Sequence, residues 1–319
     1  FVRVARLDAT VVALSSKTRP KKLAFVCDDG KRRAFLLKGA EDVHMDERVM
    51  QMLAVVNRMA AARRGAQRAA AVATYAVLPL GRTAGLIEWV AATRPLYDIW
   101  RRRRASDAFT QSIAERQRKQ RLGGAAGGAA GLRRRGVDVS LPRGRWGLRG
   151  AFDALTADAP ASIIADEVSR LAADAADWIV RRRAYAESLG ASCVAAYALG
   201  LGDRHLENVL FEARRCVLVD VDWGVCFDGG ARLRVPELVP FRLTQCVANA
   251  LGPARTDAAE FRESARWTLE ALRRRAADAP GGGGAAAPGP PRPSPLLALL
   301  ELCCRDARVQ WRATLGHPK

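Results

Sequence analysis

The sequence predicts an α+β fold of two lobes, a small β-rich lobe over residues 1–88 and a larger, mostly helical lobe after it. Two observations predict this division. Short apolar runs typical of strands, separated by polar turns, dominate up to Val90. Apolar residues at helical spacing dominate later. With 319 residues, of which 49% are hydrophobic, the chain can bury the core of one bilobal domain or of two small ones.

In the first lobe, the pattern predicts a five-stranded sheet accompanied by one helix. The strands are expected over residues 1–14, 22–27, 33–38, 75–80 and 86–90. The Asp-Asp-Gly-Lys turn at 28–31 is typical of a hairpin. The helix is expected over 46–60, where apolar residues recur at helical spacing, namely Val49, Leu53, Val56 and Ala60.

The second lobe is predicted to begin with a hinge over residues 89–100 and to have its main body over 166–279. Residues 170–201 predict one or two helices, and residues 261–272 predict a further helix. Between them, two β-prone runs within 209–219 flank a polar turn, which predicts a β-hairpin.

Three segments are predicted to lie outside this core. Residues 101–165 are expected to be an insert of low complexity, rich in Arg, Gly and Ala, and residues 280–295 a linker rich in Gly, Ala and Pro. A C-terminal helix is expected over 296–319. The net charge is +19, and residues 101–150, with 14 basic and 3 acidic side chains, supply 14 − 3 = +11 of it. This concentration in a stretch almost without aromatic residues indicates a solvated basic loop rather than a nucleic-acid-binding module.

Cysteine and histidine usage excludes two other classes of protein. The seven cysteines are scattered without a Cys-x-x-Cys pair, which argues against a disulfide framework. Three histidines are too few for a His-rich zinc site. We also expect no secretory signal and no membrane span. We expect a fragment of a longer protein with reduced thiols. Its expected location is the cytoplasm, with the nucleus as a second compartment, and no membrane partner is expected.

The most informative stretch, residues 203–224, contains Asp-Arg-His-x-x-Asn and then Asp-Trp-Gly. The hairpin between the two motifs would bring Asn208 beside Asp222, and their side-chain oxygens are ligands that Mg²⁺ prefers. Asp203 is suited to orient and deprotonate an attacking hydroxyl. His205 could add a hydrogen bond or a positive charge at a transferring phosphate. The spacing therefore predicts a phosphoryl-transfer site.

This stretch resembles the phosphatidylinositol-3-kinase-related protein kinases, which have Asp-Arg-His where ordinary protein kinases have His-Arg-Asp. The resemblance covers roughly residues 1–100 and 176–275. Residues 39–51 are similar to the helix of the family's N-lobe, and residues 233–245 to the end of its activation segment. Within the family, the Lys-Thr-Arg-Pro-Lys-Lys-Leu run at 17–23 is most similar to the kinases of nonsense-mediated mRNA decay. The resemblance implies the bilobal PI3K/PI4K-like protein kinase fold.

The same resemblance implies a site for ATP with Mg²⁺ or Mn²⁺. Lys38 ends an apolar strand and would contact the nucleotide phosphates. Glu41 and Asp46 are both near enough in sequence to orient this lysine, and the sequence does not separate their roles. The resemblance places Asp46 with Tyr75 at the back of the pocket, and Glu41 near the lysine.

Two further segments complete the implied nucleotide site. A short serine-containing loop would hold phosphate oxygens through hydroxyl and backbone N–H groups. The hinge would contact adenine through backbone groups and stack a tryptophan ring on it. The residues concerned are Ser15 and Ser16 in the loop and Ile87, Glu88, Trp89 and Val90 in the hinge.

The resemblance implies a Ser/Thr protein kinase that prefers a serine or threonine followed by glutamine. It also implies an RNA helicase of mRNA surveillance as substrate, and regulatory subunits as partners. A phosphoinositide kinase is the nearest alternative, but it needs a basic activation segment, and residues 225–240 carry two arginines against two acidic residues. A catalytically inactive scaffold of the same family is another alternative, although no expected catalytic side chain is missing.

Two positions depart from the family pattern. Asp220 stands where the family commonly has histidine, and Gly224 stands where the decay kinases usually have asparagine. The sequence offers no role for Asp220.

Overall fold

The fold is that of a computed structural model, in which part of the chain is described. The described residues are 2–15, 18–64, 72–106, 161–227, 229–233, 236–237, 239 and 241–273. Ser16 of the expected phosphate loop, residues 107–160 of the predicted insert, the predicted linker at 280–295 and the predicted helix at 296–319 lie outside them.

The first lobe is built on an antiparallel sheet with six strands in the described residues. They are β1 (Val4–Leu7), β2 (Val12–Ala13), β3 (Lys21–Cys27), β4 (Arg32–Gly39), β5 (Val77–Gly81) and β6 (Ala84–Glu88). The order is β1-β3-β4-β6-β5, and β2 also pairs with β3. The prediction of one strand over residues 1–14 was wrong, because the Asp8 carboxylate accepts the backbone N–H of Thr10 and forms a turn there.

Helix α1 (His44–Arg64) is longer than the helix predicted over 46–60. Just before it, the Asp42 carboxylate accepts the backbone N–H of His44 at 2.9 Å. The acidic residues of its first turn, Asp46 and Glu47, complement the positive end of the helix dipole. The predicted apolar positions are all buried, which confirms the helical periodicity.

The second lobe combines a small antiparallel sheet with helices. The strands are β7 (Thr93–Pro95), β8 (Val209–Glu212) and β9 (Val217–Asp220). The helices are α2 (Leu96–Ser106), α3 (Ile163–Leu171), α4 (Ala175–Leu199), α5 (Gln245–Asn249) and α6 (Ala259–Arg273). The predicted hairpin is confirmed, because Val209 pairs with Asp220 and Glu212 with Val217.

Both ends of the predicted insert, 101–165, are helical. Helix α2 extends to Ser106, and α3 begins at Ile163. Ile163 and Ile164 are only 5% and 3% exposed, because they pack in the core of the second lobe. The residues from 163 onwards therefore belong to the folded lobe. In the part of the chain that the structure describes, no helix has both the length and the apolar surface to cross a bilayer.

A single buried cluster joins the two lobes. It contains Val49, Leu53 and other residues of α1, Leu199 at the end of α4, and Trp223 after β9. Since Leu199 precedes the Asp-Arg-His motif and Trp223 follows Asp222, this packing holds α1 against both motifs. The fold thus places the candidate site at the junction of the lobes.

Candidate active site

The catalytic loop begins where α4 ends. Gly200 caps the helix in the left-handed conformation, with φ 56°, and its N–H bonds back to the last turn. A Cβ at this position would lie 2.1 Å from the carbonyl oxygen of Phe227, so the backbone approaches too closely for any side chain. The glycine therefore turns the chain sharply into the Asp-Arg-His motif.

Arg204 holds this loop together from inside. Its side chain is 5% exposed, and its guanidinium donates to the carbonyl oxygens of Gly202, Asn208, Val221 and Asp222. Two of these acceptors, Asn208 and Asp222, belong to the two motifs, and the other two lie directly before them. The sequence pattern predicts no role for Arg204, yet in the fold Arg204 ties the loop to the segment after β9.

The two expected metal ligands are brought to neighbouring positions. The N–H of Val221 donates to the carbonyl oxygen of Asn208 at 3.0 Å. The side-chain amide of Asn208 donates to the carbonyl oxygen of Asp203 at 3.0 Å, which leaves its own side-chain oxygen to act as an acceptor or ligand. Asp222 has φ 61°, and its carboxylate is half-exposed.

Lys38 lies across from Asp222. Its ammonium nitrogen is 3.0 Å from a carboxylate oxygen of Glu41 and 3.9 Å from one of Asp222. Burial by itself would lower the pKa of Lys38, but Asp222 and Glu41 outweigh burial and raise it. The lysine is therefore charged at neutral pH. The Lys38–Asp222 distance shows that β4 of the first lobe and the segment after β9 in the second lobe face each other.

The structure separates the roles of the two carboxylates that the sequence left open. Glu41 pairs directly with Lys38. Asp46 instead accepts the backbone N–H of Trp223 at 2.9 Å, which links α1 to the Asp-Trp-Gly motif. Burial raises the pKa of Asp46. Asp46 thus positions the segment after Asp222 rather than forming an ion pair with the lysine.

Tyr75 lies in the same buried region, and its hydroxyl makes no hydrogen bond in the described structure. Burial, reinforced by nearby Asp46, raises its pKa well above the usual value. A buried hydroxyl without a partner is costly. It supplies a polar atom that a ligand at the back of the pocket could satisfy.

The hinge residues play different structural parts. Ile87 is buried in the core, and the Glu88 carboxylate accepts the backbone N–H of Ala76 at 2.8 Å. The backbone N–H of Trp89 donates to the carbonyl oxygen of Ala34. The ammonium of Lys22 lies 3.9 Å from the centre of the Trp89 ring. The carbonyl oxygen of Val90 accepts the Thr93 hydroxyl. The side chains of Ile87 and Glu88 are therefore engaged within the protein.

The remaining expected residues are at the surface. Ser15 is exposed after β2. His205 is exposed too, and its Nδ1 accepts the backbone N–H of Glu207 at 3.2 Å. This bond leaves Nε2 as the ring's hydrogen-bond donor toward solvent.

Glu237 also belongs to the candidate site, although the sequence pattern did not predict this. One of its carboxylate oxygens accepts the N–H of Asp203 at 2.7 Å, and the other accepts the N–H of Arg204 at 3.3 Å. Arg242 adds a bond from its guanidinium to the carbonyl oxygen of Arg204 at 2.7 Å. The end of the activation segment therefore clamps the catalytic loop. The Pro-Glu pair at 236–237, within the segment that resembles the end of the family's activation segment, is the sequence feature that could have indicated this role.

Comparison with known proteins agrees with this geometry. Residues 33–278 match the family model described as phosphatidylinositol 3- and 4-kinase. The chain belongs to this family. It is 37% identical over 288 residues to the serine/threonine-protein kinase smg-1 of Caenorhabditis briggsae, with 85% of this chain and 12% of that protein aligned. It is 34% identical over 327 residues to Smg1 of Drosophila melanogaster, with 97% of this chain and 9% of that protein aligned.

A solved structure supports the family fold. The FAT and kinase domain of CtTel1 superposes with a TM-score of 0.66 at 28% identity, covering 85% of this chain and 18% of that one. The expected family and the PI3K/PI4K-like kinase fold are thus confirmed. This kinase domain spans only a small part of the length of the curated relatives that it matches.

Membership of the family implies ATP and a divalent metal ion, and the residues of the site fit both. Within the described residues, no group of three or more His, Cys, Asp or Glu side chains could cage a metal by itself. Mg²⁺ needs no such cage, because it keeps several waters and binds one or two carboxylates together with substrate phosphates. Asn208 and Asp222 could form such a partial set, and Lys38 and the Tyr75 hydroxyl, which makes no hydrogen bond within the described residues, could contact the nucleotide.

Proposed function

We propose that this chain is the catalytic domain of a Ser/Thr protein kinase that transfers the γ-phosphate of ATP to a protein hydroxyl. The observation that carries the proposal is the convergence of Lys38 with Asp222 across the lobes, beside the loop that contains Asp203 and Asn208. The two relatives described above are both named serine/threonine-protein kinases, which supports a protein substrate.

Each residue has a separate task in this proposal. Lys38, kept charged by its carboxylate neighbours, binds phosphate oxygens, and Asn208 with Asp222 holds the metal ion. The bound metal would offset negative charge on the phosphates as the bond to the leaving group weakens. Asp203 orients the hydroxyl and takes its proton, and the exposed His205 donates a hydrogen bond toward the transferred group.

We further propose the preference for serine or threonine followed by glutamine, and a role in nonsense-mediated mRNA decay with an RNA helicase as substrate. Mg²⁺ is the expected metal, with Mn²⁺ as an alternative, and regulatory subunits are expected partners. We propose a cytoplasmic location, with the nucleus as a second compartment. The similarity to smg-1 and Smg1 supports this choice within the family.

The test uses γ-labelled ATP with Mg²⁺ or Mn²⁺ and two peptides that differ only in Ser-Gln against Ser-Ala. A helicase of mRNA surveillance and phosphoinositide vesicles are offered in parallel. We expect faster labelling of the Ser-Gln peptide and labelling of the helicase. Asp222→Ala should abolish phosphate transfer. The control is Asp257→Ala, which removes a strongly exposed carboxylate 35 residues after Asp222 and should leave transfer unchanged.

The other outcomes distinguish the alternatives. Labelling of the vesicles without labelling of either peptide would identify a phosphoinositide kinase. ATP binding without transfer to any acceptor would identify an inactive scaffold. Equal labelling of both peptides would retain the protein kinase and contradict the glutamine preference.

A further inference from the structure

Asp220 is a mostly buried carboxylate to which the proposed mechanism gives no task. It is the last residue of β9, two positions before Asp222. Its side chain is 14% exposed, and one of its carboxylate oxygens lies 3.7 Å from the guanidinium of Arg204. The hairpin register pairs it with Val209, which follows Asn208. Asp220 thus lies close in the chain and in space to both metal-ligand positions.

Arg204 needs such a neighbour. Its guanidinium is almost completely buried, and the four backbone oxygens that it contacts are neutral. A buried charge without a counter-charge is strongly unfavourable. Among the described residues, Asp220 is the one carboxylate that forms an ion pair with Arg204 within 4.0 Å. The Glu237 carboxylate accepts the backbone N–H of Arg204 and does not pair with its guanidinium in the described structure.

A small cavity adjoins the pair. Its volume is about 30 Å³, and Arg204 and Asp220 both line it, but most of the lining is apolar, with residues such as Leu96, Leu218 and Phe241. Apolar surroundings screen charge weakly, so the Asp220 carboxylate, 3.7 Å from the Arg204 guanidinium, is what offsets the buried positive charge.

We propose that Asp220 is a positioning residue that balances the charge of Arg204 and thereby sets the affinity of the metal site. Arg204 holds the carbonyl oxygens of Asn208 and Asp222, so any shift of its guanidinium moves both metal-ligand residues together. Asp220 acts through Arg204 and need not touch the metal or the substrate. The inference rests on the proposed function for the identity of the metal ligands.

The test measures metal binding without turnover. Mn²⁺ is titrated by electron paramagnetic resonance into the whole protein with a non-hydrolysable ATP analogue, for the wild type and for Asp220→Asn. Groups that orient metal ligands typically contribute ~10–100-fold to metal affinity or activity. We expect Asp220→Asn to raise the Mn²⁺ dissociation constant by at least about tenfold, because asparagine keeps the shape and removes the charge.

The matched control is Glu212→Gln. Glu212 is a buried carboxylate at the other end of the same hairpin, where it accepts the backbone N–H groups of Arg214 and Arg215. It lies three residues along β8 from Val209, which corresponds to ~10 Å. Both variants should lower the unfolding temperature, but Glu212→Gln should leave Mn²⁺ binding unchanged. Equal weakening in both variants, or wild-type Mn²⁺ binding in Asp220→Asn, would overturn the proposal.

A second variant decides the matter if Asp220→Asn does not fold. Asp220→Glu keeps the charge, and the adjoining cavity has room for the one additional methylene group. We expect Asp220→Glu to bind Mn²⁺ like the wild type. A tenfold or greater loss in Asp220→Glu would show that packing rather than charge matters. Peptide labelling is recorded separately, so an absence of transfer would count against the proposed function and not against the role of Asp220.

Discussion

Replacing Glu237 by alanine tests whether the activation segment positions the catalytic loop. The change removes the acceptors of two backbone N–H groups, those of Asp203 at 2.7 Å and Arg204 at 3.3 Å. A hydrogen bond to a charged group contributes ~1.5–3 kcal/mol, and the longer contact contributes less. Because Glu237 is partly exposed, we take about 2–3 kcal/mol for the pair. Asp203 has φ 55°, which is uncommon for a non-glycine residue, so the clamp also maintains an unfavourable backbone conformation.

If the lost hydrogen-bond energy of about 2–3 kcal/mol raises the activation free energy by the same amount, because Asp203 is no longer held in place, kcat should fall by about 30- to 150-fold. A change of about 1.36 kcal/mol corresponds to a factor of ten in rate. The dissociation constant of ATP should change little, because Glu237 contacts the loop and not Lys38. Glu237→Gln keeps one acceptor oxygen and should lose less. The assay is steady-state phosphorylation of the Ser-Gln peptide, together with calorimetric titration of an ATP analogue.

The matched control is Glu207→Ala, at an exposed carboxylate in the same loop. It should leave kcat unchanged. Wild-type kcat in Glu237→Ala, with an unchanged unfolding temperature, would refute the clamp. A large loss of ATP affinity with kcat intact would also refute it, because it would place Glu237 on the nucleotide side of the reaction.

Three further predictions follow from the same geometry. Asp203→Asn should lower kcat by ~10²–10⁴-fold with little change in the ATP dissociation constant; the reverse pattern in the same two assays would make Asp203 a nucleotide ligand. Lys38→Met should weaken ATP binding, measured by calorimetry, because the charged ammonium faces the phosphate site beside Asp222; unchanged affinity would contradict that role. Gly200→Ala should lower the free energy of unfolding by at least ~1–2 kcal/mol in urea denaturation, because the left-handed conformation alone costs this much and the Phe227 backbone leaves no room for a methyl group; wild-type stability would show that the loop relaxes freely.

Local patterns were sufficient for much of the fold. The periodicity of α1 and the β-prone runs that flank the polar turn of the β8–β9 hairpin are properties of neighbouring residues, and both predictions were confirmed. The hairpin in turn predicted that Asn208 and Asp222 would lie close together. The strand predicted over residues 1–14 failed, because the turn at Asp8 depends on one side-chain hydrogen bond that the apolar pattern does not reveal.

The sequence by itself therefore determined the family and the two-lobed fold, and it predicted the residues of the candidate site. Only the tertiary structure decided how those residues divide their tasks. Asp46 and Trp223 are 177 positions apart, and Glu237 and Asp203 are 34 apart, yet each pair shares a hydrogen bond. Periodicity reports which face of an element is buried, whereas such contacts depend on how whole elements pack against each other. For that reason the separate roles of Glu41 and Asp46, and the contacts of Glu237 and Asp220, appear only in the folded chain.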